Sequence, residues 1–127
     1  MIRRYVYNRW QSEWTNVSDN KLREIKETTT EWKSSQQRSR KESVLLTRMR
    51  IGHTRITHEH LFKHEPPPFC TDCNQQITIK HLLSDCIKYK VLRDKYKISF
   101  RSILDTNQSE LSNLFKFLKE ADLFDKL

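Results

Sequence analysis

The sequence predicts a mainly α fold, a small helical domain followed by a C-terminal module built on cysteine and histidine. Three observations predict it. One glycine in 127 residues leaves few of the permissive backbone positions that a turn-rich β architecture uses. Apolar residues recur at helical i, i+3, i+4 spacing in several segments. All three cysteines fall in one stretch, Cys70-Thr71-Asp72-Cys73…His81…Cys86, with the spacing C-x2-C-x7-H-x4-C. Only 35% of residues are hydrophobic, so the core is expected to be modest. The expected organisation is a helical segment over 1–64, the Cys/His module over 65–100, and a terminal helix over 101–127.

Within residues 1–17, Tyr7, Trp10 and Trp14 share a helical spacing and read as a stripe facing the core. A base-stacking platform is the other reading of the same aromatics. Residues 18–40 are polar, with a short helix expected near Asp19–Lys26 and with Trp32 pinning the loop after it. The best-marked helix comes next. Ser39-Arg40-Lys41-Glu42 has the form of a capping box, in which serine and glutamate side chains satisfy each other's backbone amides. Val44, Leu45, Met49 and Ile51 form its apolar side, and Gly52 stands where a left-handed C-terminal cap is needed. Arg48 and Arg50 in its last turn complement the negative end of the helix dipole. A further short helix is expected from a Thr57 cap to Lys63.

Pro66-Pro67-Pro68 is a stiff spacer without backbone donors, expected to separate the helical part from the Cys/His module. Beyond the CxxC pair, Thr78 reads as the cap of one helix that carries His81, Leu82 and Cys86 and runs on to Tyr96. After an irregular piece over 99–107, Leu111, Leu114, Phe115 and Leu118 mark a last amphipathic helix. Leu123 and Phe124 close the chain. The acidic Glu120, Asp122 and Asp125 read as a solvated helix end.

A CxxC pair places two thiolates on one tight turn, and a histidine and cysteine further on can complete a tetrahedron. Soft S/N donors in a closed Cys3His set are those of a structural zinc site. Reduced buried thiols without metal, or a redox pair, are the competing readings. Three cysteines leave one unpaired in any disulfide scheme, and Met1-Ile2-Arg3-Arg4-Tyr5 has no apolar signal core. The expected location is therefore intracellular, nuclear or cytoplasmic, where thiols stay reduced. No apolar run approaches the ~20 residues that cross a bilayer, so no membrane partner is expected.

Lys and Arg number 24 against 16 Asp and Glu, a net charge of +8 that favours polyanionic partners. Across residues 38–55, Arg38, Arg40, Lys41, Arg48, Arg50 and Arg55 face only Glu42. They form a candidate phosphate-tracking surface, with a solvated helix face as the plainer reading. Lys80, Lys88, Lys90, Arg93, Lys95 and Lys97 form a second basic stretch. Nothing reads base edges recognisably, so the expected binding to RNA or DNA is weakly sequence-specific. His53, His58, His60 and His64 lack a completing ligand set and read as packing or surface residues.

The run Val44-Leu45-Leu46-Thr47-Arg48-Met49-Arg50-Ile51-Gly52-His53-Thr54-Arg55-Ile56-Thr57-His58 resembles the "LxRLRxGHTRLTH" signature of non-LTR retrotransposon polyproteins, especially the jockey-like group. Glu65 to Cys73 and Thr78 to Cys86 are similar to that family's "PPxCxxCxxxxTxxHxLxxC" segment. Trp10-Gln11-Ser12-Glu13-Trp14 looks like its "WQxxW", and the helix bearing Leu114 to Leu118 resembles the short tail that ends the polyprotein. The resemblance implies a segment downstream of a reverse transcriptase or ribonuclease H domain, with Cys70, Cys73, His81 and Cys86 as zinc ligands and nucleic acid as partner. No YxDD-type polymerase motif and no spaced acidic set for a two-metal nuclease occurs. The expectation is a non-catalytic, zinc-stabilised nucleic-acid-binding fragment. Its rival is a zinc-stapled fragment that docks onto a polymerase or ribonuclease H domain without binding nucleic acid itself.

Overall fold

The structure, a computed structural model, describes all residues 1–127 and is mainly helical. It divides after Lys33 into two units, Met1–Lys33 and Ser34–Leu127. No helix is long and apolar enough to cross a membrane.

The first unit holds α1 (Ile2–Asn16) and α2 (Lys21–Ile25), the latter capped by the Asn20 side chain accepting from the Leu22 amide. Trp14 donates its indole N–H to the Lys26 carbonyl at 2.9 Å, and Gln11 Oε1 accepts from the Thr29 amide at 2.8 Å, so polar contacts tie the 26–29 loop to α1. The expected core-facing aromatic stripe is not found. Neither helix contains a buried residue, and Trp10 is 62% exposed. A segment of this length closed mainly by side-chain-to-backbone bonds has too little apolar surface to form an interior of its own.

The second unit contains the core. Its α3 (Arg40–Ile51) begins where Ser39 accepts from the Glu42 amide and ends at Gly52, whose φ of 75° needs a residue without a Cβ penalty. Only the serine half of the expected box forms. The Glu42 carboxylate instead lies 3.9 Å from Lys119. The next helix, α4 (Arg55–Lys63), starts one turn earlier than expected because Thr54, not Thr57, is its cap. The Thr54 hydroxyl accepts from the Thr57 amide while the Thr57 hydroxyl accepts from the Thr54 amide, so two threonines satisfy both orphan donors.

A two-stranded hairpin, β1 (Phe69–Cys70) with β2 (Gln75–Gln76), follows the prolines. Then come a wide π-type turn at His81–Asp85, a 3₁₀ turn at Ile87–Tyr89, α5 (Lys90–Tyr96), a second 3₁₀ turn at Phe100–Leu104, and α6 (Gln108–Glu120). The amphipathic α6 supplies Leu111, Leu114, Phe115, Phe117 and Leu118 to the core. These pack in one cluster with Leu45, Leu46 and Met49 of α3 and with Ile79, Leu82 and Leu83 beside His81. Phe124 meets Phe115 edge-on at 6.4 Å. Outside the core, α5 and α6 are joined by Lys95, whose Nζ lies 2.9 and 3.0 Å from the Glu120 carboxylate oxygens. The Tyr96 hydroxyl and then Lys95 hold that carboxyl below its ordinary range.

The division expected at Pro66–Pro68 is therefore corrected. Residues on both sides of the prolines share one apolar cluster, because the segment after the hairpin turns back and buries Leu82 and Leu83 against the helices. The expected single helix from Thr78 to Tyr96 is also broken, at Cys86, which is extended with ψ 121°.

Arg50 is a further correction. Expected on a basic surface, it is 5% exposed. Its Nε donates to the Ile103 carbonyl at 2.6 Å, its Nη1 to Ser35 Oγ at 3.0 Å and its Nη2 to Ser34 Oγ at 2.9 Å. Burial lowers its pKa to about 10, still far above neutrality, so the buried group remains a cation and must keep its acceptors. Arg50→Met is predicted to lower unfolding free energy by about 1–3 kcal/mol, because polar groups at Ser34 and Ile103 lose a partner. Arg48→Gln on the same helix, at an exposed position, should change it by less than about 0.5 kcal/mol. Urea denaturation of the two variants measures the difference.

Candidate metal centre

The site starts with backbone geometry. In the hairpin, Phe69 pairs with Gln76 and Cys70 with Gln75, and the Ile77 amide donates to the Pro68 carbonyl at 2.9 Å. Asn74 takes the left-handed conformation, φ 54°, that lets the chain reverse between the strands. This turn carries Cys73 back beside Cys70. The strands, unmarked by any alternation in the sequence, exist to shape that turn.

The other two ligand positions come from the segment after the hairpin. Thr78 Oγ1 accepts from the His81 amide at 3.0 Å and starts the turn. The Cys86 amide then donates to the His81 carbonyl at 2.7 Å, closing an i→i+5 turn. In a regular α-helix residues five apart point roughly 140° away from each other, since each residue turns the chain by about 100°. The wider π-type turn brings positions 81 and 86 toward one side, which explains why the helix expected here is interrupted.

Side chains from the two elements meet. One ligand atom each from Cys70, Cys73, His81 and Cys86 lies within 4.8 Å of every other, and the four form a group that could hold a metal ion. The Cys70 and Cys73 sulfurs are each 3.9 Å from the Cys86 sulfur. A tetrahedral ion with bonds to sulfur of about 2.3 Å would set the sulfurs about 3.8 Å apart. The Ile87 amide points at Cys73 Sγ at 3.3 Å, a donor suited to thiolate charge. His81 is 2% exposed, and neither of its ring nitrogens has a hydrogen-bond partner in the protein. Burying such a polar atom unpaired costs about 1–3 kcal/mol, and a metal bond to one nitrogen would remove that cost. The donor set, the spacing and the orphaned imidazole all fit an ion.

The thiols differ in acidity. The Cys73 backbone N–H, foremost among several donors, lowers the pKa of Cys70 against the opposing effect of burial. Burial raises Cys86 to about 11. Cys86 thus gives up its proton only to something that replaces it.

The other predicted residues fall into three groups. Arg40, Arg48 and Arg55 are exposed, and Arg40 and Arg48 stand on one face of α3 with Val44 between them. Lys41 is exposed but engages the Asp125 carboxylate and lies 5.1 Å from the Phe124 ring centroid, and Lys80 is exposed next to His81. Arg50, and Arg93 of the second basic stretch, are withdrawn from the surface; Arg93 Nη1 donates to the Leu82 carbonyl at 3.4 Å. A feature with no signal in the sequence is a stack of His53 on His58, with ring centroids 3.6 Å apart and planes 15° from parallel. The five-residue separation across a helix cap gives it no periodicity.

Compared with protein-family models, curated proteins and solved structures, the chain matches none.

Two ligand positions sit on a hairpin and two on a segment anchored in the core, so an ion here would staple one to the other. Stripping metal with a chelator is predicted to raise amide exchange chiefly over residues 69–77, leaving protection of α3 and α6 largely intact. Cys73→Ser should do the same. Hydrogen-exchange mass spectrometry decides, and equal loss of protection throughout would show that the staple is not local.

Proposed function

We propose that the chain is a non-catalytic, zinc-stabilised nucleic-acid-binding module of the kind found near the end of non-LTR retrotransposon polyproteins. The observation that carries the zinc assignment is the convergence of three sulfurs and one unpartnered, buried imidazole. Zinc favours that donor set in four-coordinate form, whereas an iron–sulfur cluster is normally held by four thiolates. With all four positions taken by protein, the ion has a structural role and no open site for a substrate. Thiols kept reduced for metal suit a nuclear or cytoplasmic location.

Support for nucleic acid comes from the exposed arginines. Arg40, Arg48 and Arg55 line a hollow of about 470 Å³ beside Val44. Guanidinium groups spaced along one helix face and onto the next helix suit successive phosphates, which bind without regard to sequence. The origin in a retroelement rests on the motif resemblance of residues 44–58 and 65–86.

A second reading is favoured by one observation in the first unit. Along α1, Ile2 is 81% exposed, Tyr5 68% and Trp10 62%. An exposed apolar face of this kind fits a segment that docks onto a protein such as a neighbouring polymerase or ribonuclease H domain. On that reading zinc shapes the fold and nucleic acid is bound elsewhere.

Changing Arg40, Arg48 and Arg55 together to Gln distinguishes the two. The module reading predicts weaker binding to RNA and DNA alike and a shallower dependence of log affinity on log salt. The slope should fall by about 0.7–0.9 for each phosphate no longer neutralised, up to three phosphates. Polarisation titrations at several salt concentrations measure it. Absence of binding by the unaltered chain at low salt would favour the docking reading.

A further inference from the structure

Beside the arginine hollow lies a second one, of about 290 Å³, lined by Arg48, His53, Arg55, His58, Glu59 and Phe62. Arg48 and Arg55 belong to both. Three features of this second hollow do not belong to a solvated helix face. Phe62 is 84% exposed, although α4 buries Thr57 and packs Ile56 partly against the core. Its position on α4 is one turn beyond His58 and two beyond Arg55, so guanidinium, imidazole and phenyl follow one another along a single stripe. The His53 ring covers one face of His58 and makes a flat two-ring platform.

The polar groups around the platform are already satisfied. His58 Nδ1 is 2.7 Å from Thr57 Oγ1, and the Glu59 carboxylate is 3.4 Å from Lys63 Nζ. The start of α4 is closed by the reciprocal Thr54–Thr57 bonds, so anion binding would fall to the guanidinium groups and not to the helix end. The hollow therefore offers a ligand aromatic surface next to two exposed cations.

We infer that this hollow takes an unpaired nucleotide, with its base stacked against Phe62 and the His53–His58 platform and its phosphate on Arg48 and Arg55. This rests on the nucleic-acid reading above and narrows it to single-stranded RNA or DNA. Bases in a duplex are stacked on their neighbours and cannot present a face to an exposed phenyl ring, whereas unpaired bases of any sequence can. The combination of a cationic track with a stacking ring is the chemistry that recognises single strands.

The test uses the full chain, its Phe62→Ala and Phe62→Trp variants, and a labelled oligonucleotide offered unpaired or as a duplex. The unaltered protein should bind the unpaired strand more tightly. Phe62→Ala should weaken that binding roughly 5- to 100-fold, the range expected for losing one stacked base, and leave duplex affinity unchanged. Phe62→Trp should retain it. Because Phe62 is exposed, neither change threatens the core, and circular dichroism checks this. A strand carrying photoreactive uridine should crosslink to residues 53–62. Duplex and single strand bound equally, or single-strand binding indifferent to Phe62→Ala, would overturn this inference and leave the broader reading standing. Failure to bind either form at low salt would overturn both.

Discussion

The meeting of Cys70, Cys73, His81 and Cys86 is the constraint on which the chain between the prolines and α5 depends. The hairpin has strands of two residues, and Thr71, Asp72, Asn74, Gln75 and Gln76 are all exposed. Such a loop buries almost nothing, and an isolated hairpin of that size does not hold itself in water. Ordering it costs about 1–2 kcal/mol per residue in backbone entropy, and a structural zinc ion supplies apparent binding of about 10–16 kcal/mol at neutral pH. An ion is thus sufficient where hydrophobic burial is not. The same site orients the neighbouring core residues, because the turn that aims His81 and Cys86 at it also directs Leu82 and Leu83 inward.

Two arginines two positions apart on α3 show how burial assigns roles that sequence alone leaves equal. Arg48 faces solvent. Arg50 points inward and holds the chain at Ser34–Ser35 and at Ile103 through directed bonds. A buried guanidinium with five fixed donors suits carbonyl and hydroxyl acceptors in several directions at once, which a lysine could not match. Once such structural cations are set aside, Arg40, Arg48 and Arg55 are left at the surface for the phosphate contacts proposed above.

Much of the second unit was legible because its signals are local. Ser39 and Gly52 bracket α3, and the leucines of α6 repeat at the period of a helix. The four candidate ligands were legible from spacing, since few residue types bind metal and these recur at short intervals. The start of α4 is not legible in the sequence because two threonines three apart compete for the cap and both take part. The break at Cys86 is not legible because Leu82 to Tyr96 keeps a helical pattern, while the wide turn that brings Cys86 to the side of His81, Cys70 and Cys73 depends on residues far along the chain. The α1 stripe differs from expectation for a related reason: helical spacing marks a face but does not say whether anything covers it. Nor could spacing place the His53–His58 stack, which depends on how the chain bends at Gly52 and Thr54.

The most direct test of the zinc staple is X-ray absorption at the zinc edge on protein purified with zinc and without chelators. The expected result is about one zinc per chain, with three sulfur scatterers near ~2.3 Å and one nitrogen near ~2.0–2.1 Å. His81→Ala should keep the three sulfur scatterers but lose the outer-shell scattering of the imidazole ring, or lose the ion. A shell of oxygen and nitrogen alone, or a protein that folds with its hairpin ordered and retains no metal, would contradict it.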